Sequence, residues 1–499
     1  MHNPVDLGKL ISKLKAEGKK IGLCHGVFDL IHPGHIQHFI AAKKQVDLLI
    51  VSITSEEYVN KGPGRPIFNN EIRSISLSAF ESIDFVTISN YPSSTEIIKI
   101  LKPDIYFKGS EYLDSSDDPT GRIKLEKKAI EEIGGEIRFT EEITFSSSNL
   151  INQHMSYLDQ KIEKWLSDFR KDFDFNSIDK HLLAISNLDV SIIGEIILDQ
   201  YTFVNALAKS SKDPILAFTI KDTSIFPGGI LAIANNCAEW VKNVSVYSTR
   251  HHEDHSLGEV LPLVNDKINF NFVNSNNRTI LKHRYIDDGT FTKVFETYNY
   301  EPEFVQNDES QNFIEALSGI KNSDLTLVAD YGHGLISADI IDAITQNSNY
   351  LALNTQTNAG NRGYNNLSRY PRADFFTANS GELQLELRSK NLNYNLEVPK
   401  LMEKLNTKYS VLTLGSDGLL VFDHSNHTKV PALATNVKDK VGAGDSVFAI
   451  ASLLMFVGAP IQVVGFISNL VAAHEVAQFG HRKSLSMGDL KKQIKSMLK

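Results

Sequence analysis

His25-Gly-Val-Phe-Asp-Leu-Ile-His-Pro-Gly-His35 is the stretch that decides how the N-terminal part of this chain folds. Residues 20–24 (KIGLC) before it predict a short buried strand, and the apolar spacing of residues 36–44 after it predicts an amphipathic helix. Pro33 and Gly34 mark the start of that helix. A glycine turn between a strand and a helix gathers free backbone N–H groups and the positive helix end at one place, which suits phosphate.

His32 and His35 lie at the mouth of this predicted helix. There they can hydrogen-bond phosphate oxygens as charge builds up during displacement at phosphorus. The sequence G-V-F-D-x-x-H-P-G-H resembles the signature of nucleotidylyltransferases that use an H-x-G-H motif. Two histidines near a helix start are more often structural, but the complete signature after a predicted strand favours catalysis. The resemblance implies that both histidines are catalytic and that Gly26, Val27 and Phe28 contact the nucleotide.

The composition is that of a globular protein with more than one domain. A length of 499 residues suggests two or three domains, and 42% apolar with 22% charged residues is ordinary for a soluble chain. The net charge of −9 argues against nucleic acid as the main partner. Cys24 and Cys237 have no disulfide or metal spacing. No signal peptide is indicated, since residues 1–6 are polar and the first predicted strand is short. No membrane span is indicated, because the most apolar region, 447–477, is interrupted by glycine, proline and polar residues. We therefore expect a cytoplasmic protein.

The first domain alternates predicted strands and helices. After the strand at 20–24, further buried strands are predicted at 47–53, 84–88, 104–107 and 136–139, with helical patterns between them. Such alternation favours parallel strands with crossover helices, that is, an α/β, Rossmann-like domain.

A glycine–proline loop, Lys61-Gly-Pro-Gly-Arg-Pro66, follows the second predicted strand. Beside a phosphate site it is better interpreted as a nucleotide clamp than as a solvated turn. Lys108 follows the fourth strand at the carboxyl end, where open α/β sheets bind ligands. The run Ser146-Ser-Ser-Asn149 either caps a helix or places hydroxyl and N–H groups on the β- and γ-phosphates, and we favour the second interpretation. The nucleotide-binding residues expected from this part of the chain are Lys61, Arg65, Arg73, Lys108, Ser146, Ser147 and Ser148.

These details narrow the resemblance. The H-P-G-H signature, the KGPGRP loop, the Glu71/Arg73 pair, the segment 101–109 (LKPDIYFKG) and the serine run together resemble the adenylyltransferase half of the bacterial bifunctional ADP-heptose synthases, over about residues 18–152. Glycerol- and choline-phosphate cytidylyltransferases share the first signature, so the choice between ATP and CTP stays open.

The connector to the next domain is predicted to be helical. Residues 136–193 contain no glycine or proline, whereas a flexible linker would be rich in glycine and serine. Apolar residues recur on one helical face at Leu158, Ile162, Trp165, Leu166, Phe169 and Phe173. Such a helix packs on one domain or forms a dimer contact, and the sequence does not choose between the two.

The second domain carries its signature near the end of the chain, at Asp439-Lys-Val-Gly-Ala-Gly-Asp445, ahead of a helix predicted from about Ser446. The N–H groups of Gly442, Ala443 and Gly444 can hold a phosphoryl group. Asp445 can accept the proton of an attacking hydroxyl.

This box resembles that of the ribokinase-type (PfkB) sugar kinases, and companion motifs follow in family order over about residues 188–497. The resemblance implies a ribokinase-like α/β domain with a β lid at 279–300. In the ADP-heptose synthases the kinase half comes first, so the order here is reversed. The implied sugar-binding residues are Asp199, Gly228, Gly229 and Arg284; the implied ATP- and phosphate-binding residues are Asn379, Glu382, Thr413, Gly415, Gly418, Gly442, Ala443 and Gly444, with Glu382 helping to place Mg²⁺ indirectly.

Several positions depart from that pattern. Glu195 stands where the opening motif has Asp, Ala232 where an asparagine is usual after the double glycine, and His333 where a D-Y-x-K-G-like turn has lysine. The amide-rich segment Asn354–Asn366 replaces an Asp-Pro-Lys turn. Such loops are usually solvated turns, and contact with substrate is the alternative. These departures leave the identity of the sugar substrate open.

The sequence therefore predicts a nucleotidylyltransferase domain (1–152), a helical connector (153–180) and a PfkB-type kinase domain (181–499). The resemblance implies a bifunctional enzyme using ATP and Mg²⁺: a heptose 7-phosphate 1-kinase with a heptose 1-phosphate adenylyltransferase, serving a surface polysaccharide, and forming a homodimer. The alternative is a cytidylyltransferase with an altered or inactive kinase-like domain. A non-catalytic nucleotide-binding protein is disfavoured by the intact His32, His35 and Asp445.

Overall fold

The protein is described by a computed structural model covering residues 3–109, 122–140, 158–210, 212–299, 307–358, 360–361 and 363–499. The chain forms two compact units, one made of residues 1–166 with 488–499 and the other of residues 167–487. The predicted kinase range of 181–499 thus extends past the second unit, because the last residues of the chain pack with the first.

The first unit is built on a five-stranded parallel sheet with the order β3-β2-β1-β4-β5. All five predicted strands are present, and the α/β class is confirmed. The order reverses between β1 and β4, which is where open α/β sheets bind ligands. The strands are β1 Ile21–Gly26, β2 Leu48–Thr54, β3 Phe85–Ser89, β4 Ile105–Gly109 and β5 Glu136–Thr140.

Helices cover both faces of this sheet, so its strands are buried on both sides. Neighbouring residues of one strand enter different cores: Leu23 and Tyr106 pack in one, Cys24 and Phe107 in the other. This two-sided burial explains why the strands are continuous apolar runs. The helices are α1 Pro4–Ala16, α2 Pro33–Lys43, α3 Asn70–Ser78, α4 Ser94–Leu101 and α5 Arg122–Glu132.

The connector consists of two helices, α6 Gln160–Asp172 and α7 Phe175–Ile185. Asp174 separates them because its side chain caps α7 by accepting a hydrogen bond from the N–H of Ser177 at 2.7 Å. The predicted apolar face is buried at Leu158, Ile162, Leu166 and Phe169. The division between the two units falls within α6.

The second unit contains a nine-stranded sheet with the order β10-β9-β6-β13-β14-β15-β16-β17-β18, parallel except where β17 joins β16 and β18. A separate four-stranded sheet, the lid, has the order β12-β11-β7-β8. The strands are β6 Asp189–Gly194, β7 Ile196–Lys209, β8 Leu216–Gly229, β9 Asn243–His251, β10 Ile268–Ser275, β11 Ile280–Asp287, β12 Lys293–Asn299, β13 Leu325–Asp330, β14 Leu351–Thr355, β15 Phe375–Asn379, β16 Tyr409–Thr413, β17 Leu419–Phe422 and β18 His427–Val430.

The two most apolar helices of the second unit are buried in its interior. Along the described ranges, no helix is both long and apolar enough to cross a membrane. The helices that follow the connector are α8 Ile230–Trp240, α9 His255–Val260, α10 Asn307–Ala316, α11 Ala338–Asn347, α12 Ser380–Glu386, α13 Tyr394–Lys404, α14 Ala443–Phe456, α15 Ile461–Val476 and α16 Met487–Leu498.

Candidate active sites

The two signature histidines meet at the start of α2. His32 is the N-cap residue, and its Nδ1 accepts a hydrogen bond of 3.4 Å from the backbone N–H of His35. The two rings stack with their centroids 3.8 Å apart. In a neutral His32 ring, this acceptor role of Nδ1 puts the proton on Nε2, where it can be donated to a phosphate oxygen.

Gly26 and Phe28 shape the backbone in front of these rings. Phe28 has a left-handed φ of 48° and meets the ring of His35 edge-on, with centroids 5.2 Å apart. A Cβ at Gly26 would lie 2.9 Å from the Phe28 ring, so this fold-back of the chain requires glycine. The signature residues therefore position His35 as a group.

His35 is held neutral in the structure described. Burial, followed by the nearby His32 and Lys61, lowers its pKa to about 3. Its Nδ1 is buried and makes no hydrogen bond within the described ranges. A bound polyphosphate would favour protonation of this imidazole, because an adjacent negative charge favours the charged form.

The KGPGRP loop is anchored by Asp29 of the signature. Arg65 Nε donates to Asp29 at 2.9 Å, and both side chains are 0% exposed. The same carboxylate accepts the backbone N–H groups of Ile67 and Phe68 at 2.9 and 3.0 Å. Arg65 was predicted to bind nucleotide, and in the structure it ties this loop to the signature.

Arg73, which was also predicted to contact the nucleotide, instead donates hydrogen bonds to the protein's own backbone. Its guanidinium donates to the backbone carbonyls of Val27, Thr54 and Phe68 at 2.8, 2.9 and 2.9 Å. It also donates to Asn70, and its residue is 1% exposed. In the structure, Arg73 therefore supports the backbone around the glycine turn. The sequence did not reveal this role, because the burial of a single charged residue cannot be inferred from the sequence alone.

Two lysines lie at the same edge of the sheet. Burial, together with the positive charges of Arg65 and Lys492, lowers the pKa of Lys61 to about 7. Lys108, at the end of β4, pairs with Glu126 of α5 at 2.9 Å. Sequence reasoning missed Glu126, which carries no motif. The predicted Ser146, Ser147 and Ser148 lie outside the described residues.

In the second unit the glycine box forms the N-terminus of a long helix. α14 begins at Ala443 rather than at the predicted Ser446, with Gly442 as its N-cap at a φ of 84°. Ala443 and Gly444 therefore lie in the first turn, where backbone N–H groups have no partner within the helix. Asp445 is in the same turn, beside the predicted phosphoryl position.

Asp445 accepts hydrogen bonds from two side chains. Tyr331 OH donates to it at 3.3 Å, and Gln356 Nε2 donates to the same oxygen. Burial raises the pKa of Asp445 to about 7, and the two hydrogen bonds and the charge of Lys282 oppose that rise. A carboxylate with this pKa is suited to act as a base near neutral pH. Sequence reasoning did not single out either donor.

The predicted sugar-binding residues are also brought together. Asp199 of β7 accepts a short hydrogen bond from Arg284 of β11, whose Nε lies 3.3 Å from Glu296 of β12. A Cβ at Gly228 would lie 2.2 Å from Asp199 Oδ2, and one at Gly229 would lie 2.7 Å from a backbone oxygen. The double glycine is therefore needed for the chain to approach Asp199 closely.

A single cavity of about 270 Å³ joins these groups. Among the predicted kinase residues, Gly228, Ala443, Gly415 and Gly418 are absent from its lining; Gly418 instead makes a close backbone approach, since a Cβ there would lie 2.0 Å from Val430 O. The lining includes Asp199, Gly229, Lys282, Arg284, Tyr331, Gln356, Asn379, Glu382, Thr413, Lys440, Gly442, Gly444 and Asp445.

Asn379 and Glu382 form a capping box at the start of α12. Asn379 Oδ1 accepts from the N–H of Glu382 and Glu382 accepts from the N–H of Asn379, both at 2.8 Å. Burial raises the pKa of Glu382 to about 7. Within the described ranges, no three ligating side chains converge on one metal position. Glu382 therefore fits an indirect contact with Mg²⁺ carried by a nucleotide, and does not fit a complete protein cage.

Residues that differ from the kinase pattern form hydrogen bonds to the turn at the end of β13. Glu195 accepts the N–H groups of Tyr331 and His333, both at 3.1 Å. The amide-rich segment is not a solvated turn: Asn358 and Asn361 donate to the carbonyl of Tyr331 at 2.8 and 2.7 Å. These bonds fix the turn and the loop together, and so place the two partners of Asp445.

Two segments of the chain match the models of known families. Residues 23–154 match the Cytidylyltransferase-like family, and residues 264–486 match the pfkB family of carbohydrate kinases. The fold resembles that of phosphofructokinase-2 from Escherichia coli, with a TM-score of 0.51 and 15% identity, over 62% of this chain and 99% of the other.

Relatives named bifunctional protein HldE match the chain in part. The protein of Desulfatibacillum aliphaticivorans is 36% identical over 150 residues, which is 30% of this chain and 29% of the relative. The protein of Campylobacter jejuni subsp. doylei is 41% identical over 108 residues, 21% of this chain and 23% of the relative. The chain thus matches less than a third of the length of these relatives. The chain is thus similar to a cytidylyltransferase-like domain over residues 23–154 and to a pfkB family carbohydrate kinase over residues 264–486.

Proposed function

We propose that the chain is a bifunctional enzyme that phosphorylates a sugar phosphate at the anomeric oxygen and transfers a nucleotidyl group to the resulting sugar 1-phosphate. The observation that carries this proposal is the cavity in which Asp445, the glycine box and Asp199 come together. The stacked His32 and His35 at the start of α2 support the second reaction.

In the kinase reaction, Asp199 and Arg284 orient the acceptor while Asp445 takes the proton of its attacking hydroxyl. The N–H groups that open α14 face the transferred phosphoryl group. The attacking oxygen bonds to the γ-phosphorus, the bond to the bridging oxygen breaks, and ADP leaves. Mg²⁺ entering with ATP would neutralise phosphate charge, and Glu382 and Asn379 would hold it indirectly.

In the nucleotidyl transfer, the phosphate of the sugar 1-phosphate attacks the α-phosphorus of a nucleoside triphosphate and pyrophosphate leaves. His32 donates through Nε2, and His35 binds the phosphate oxygens where charge accumulates. Lys61 and Lys108 stand at the carboxyl edge of the sheet for the remaining phosphates. Asp29, Arg65 and Arg73 keep the signature and the loop in place.

The acceptor is proposed to be a heptose 7-phosphate and the product an ADP-heptose. The partial likeness to the HldE proteins supports the class of reaction. A phosphatase acting between the two steps would be a separate protein.

A CTP-dependent enzyme with an altered kinase is the second candidate, favoured by His333 in the place of a pattern lysine and by the amide-rich segment Asn354–Asn366 in the place of an Asp-Pro-Lys turn. A substrate panel separates the two candidates. Pyrophosphate release is measured with ATP, CTP, GTP and UTP against heptose 1-phosphate and glycerol 3-phosphate, and ADP release with sugar phosphates as acceptors. Release with ATP and heptose 1-phosphate, together with kinase turnover, is expected. Release with CTP alone and no kinase turnover would overturn the proposal.

A homodimer is part of the proposal. The lid exposes Leu207, Leu216 and Ile220 to 64, 61 and 68%. Exposed apolar side chains grouped on one sheet are typical of a contact surface. Light scattering of the full chain should give twice the mass of 55.7 kDa.

A further inference from the structure

Lys282 lies in the kinase cavity but belongs to none of the motifs used above. It is on the lid strand β11, in register with Asp199 of β7 on one side and Tyr298 of β12 on the other. Its ammonium lies 5.4 Å from the centre of the Tyr298 ring and 6.0 Å from that of Tyr331. Tyr331 is the residue that donates to Asp445, so Lys282 lies near the reacting end of the cavity.

The two lid cations that line the cavity, Arg284 and Lys282, differ in their bonding partners. Arg284 is bonded to Asp199 and paired with Glu296. Lys282 makes no hydrogen bond or ion pair within the described ranges, while its charge interacts with both Asp199 and Asp445. Burial lowers the pKa of Lys282, and the two aspartates oppose this effect. An ammonium that lines the cavity and makes no hydrogen bond to either aspartate is available to an anionic ligand that enters the cavity.

We propose that Lys282 is a further catalytic residue of the kinase site, whose ammonium binds the phosphoryl group during its transfer. The proposal rests on the kinase activity proposed above. As the acceptor oxygen bonds to the γ-phosphorus and the bond to ADP breaks, Asp445 takes the hydroxyl proton. Lys282 keeps its own proton and donates hydrogen bonds to the phosphoryl oxygens, while the helix N-terminus contributes backbone N–H groups.

The lid is tied to the glycine box in a way that fixes this position. Lys293 of β12 donates to Asp439, the first residue of the box, at 2.7 Å, and Tyr201 of β7 donates to the same carboxylate. Strand β11 lies between β12 and β7, so it is held by both of its neighbours. Lys282 is therefore brought to the phosphoryl position by the same contacts that dock the lid on the box.

The test compares Lys282→Met and Lys282→Arg with a control on the same sheet, Lys221→Met. Lys221 is 56% exposed at its side chain and lies 3.9 Å from Asp288. ADP release is measured with ATP–Mg²⁺ and a panel of sugar phosphates and unphosphorylated sugars, heptose 7-phosphate included, over a range of pH. Thermal unfolding of each variant reports on folding.

Lys282→Met should lower kcat on the order of a hundredfold, as for other lost transition-state donors, with a much smaller change in the KM for ATP. The acid limb of its kcat profile should move to higher pH, because loss of a nearby positive charge raises the pKa of Asp445. Lys282→Arg should recover part of kcat, and Lys221→Met should match the wild type.

An unchanged kcat for Lys282→Met on an acceptor that the wild type phosphorylates overturns this inference and leaves the proposed function standing. A rise confined to the KM of the acceptor does the same, because it would make Lys282 a binding residue only. A wild type that phosphorylates no member of the panel overturns both.

Discussion

Tyr331 donates its hydroxyl hydrogen to Asp445 across 3.3 Å, and it does so from the turn that Glu195 and the amide-rich loop hold in place. The second donor to this carboxylate, Gln356, comes from that loop. The candidate base is thus positioned by segments in which the sequence departs from the kinase pattern. Residues that differ from the kinase pattern thus hold the turn of Tyr331 and supply the second hydrogen bond to the same aspartate.

The kinase reaction should depend on the carboxylate of Asp445. Asp445→Asn keeps the shape and removes the base, so ADP release with sugar phosphates should be lost while the thermal unfolding temperature stays close to that of the wild type. Nucleotidyl transfer by the same variant serves as the internal control. Kinase turnover at the wild-type rate would contradict the assignment.

The pH dependence of the kinase follows from the same group. Burial raises the pKa of Asp445 to about 7, so the fraction of deprotonated base falls as the pH drops below that value. Turnover, measured as kcat against pH, should therefore decline on the acid side of about 7 with the slope of a single proton. A kcat that stays constant down to pH 5 would rule out a base with this pKa.

Tyr331→Phe should move that acid limb to higher pH, because the hydroxyl stabilises the charged form of Asp445. The hydrogen bond is worth about 1 kcal/mol, which corresponds to a shift of about one pH unit or less. Tyr364→Phe is the matched control, since Tyr364 is 86% exposed. The two variants should differ in their pH profiles; identical profiles would remove Tyr331 from the site.

In the N-terminal domain, His35→Ala should lower nucleotidyl transfer on the order of a hundredfold or more and leave the kinase intact. His424→Ala, at an exposed position, is the control. Pyrophosphate release is the measurement. Equal release by both variants would refute a catalytic role for His35.

Much of this architecture could be predicted from the sequence because it depends on local patterns. The five strands of the first sheet are apolar runs bounded by turns, and the glycine boxes precede helices, so periodicity and glycine placement sufficed. Arg73 shows that long-range side-chain contacts could not be predicted in the same way. Its contacts with Val27 and Thr54 cross 46 and 19 residues of the chain, and a lone arginine does not show whether it faces a ligand or the protein interior. Gln356 and Lys282 were missed for the same reason, since the hydrogen bond of Gln356 to Asp445 and the charge interaction of Lys282 with it both depend on tertiary packing.

The structural role of Arg73 can be measured directly. Arg73→Met leaves three backbone carbonyls without this donor, and each buried unsatisfied acceptor costs about 1–3 kcal/mol. The free energy of unfolding of the first unit should therefore fall by about 1–3 kcal/mol in denaturant titrations, because the three bonds are only partly buried. Unchanged stability with a raised KM for the nucleoside triphosphate would return Arg73 to the role of a nucleotide ligand.

The final helix, α16, allows a test of the division of the chain into two units. Residues 488–499 pack with the first unit, where a Cβ at Gly62 would lie 3.3 Å from the sulfur of Met497. Lys492 and Lys499 also add to the positive potential around Lys61. Removing these residues should therefore lower nucleotidyl transfer and expose the KGPGRP loop, while the kinase keeps its turnover because its cavity lies within the second unit.

Two variants separate packing from charge in this prediction. Met497→Ala should reduce the stability of the first unit through the cavity it leaves, by about 2–5 kcal/mol if the site stays rigid. Lys492→Gln with Lys499→Gln should leave stability nearly unchanged but raise the KM for the nucleoside triphosphate, because the charge attracting its phosphates is reduced. Since fewer neighbouring cations raise the pKa of Lys61, the variant keeps the Lys61 proton above pH 7, where wild-type Lys61 loses it, so the difference in KM from wild type should be largest below pH 7. A truncated chain with full nucleotidyl transfer would show that the helix packs there without serving the site.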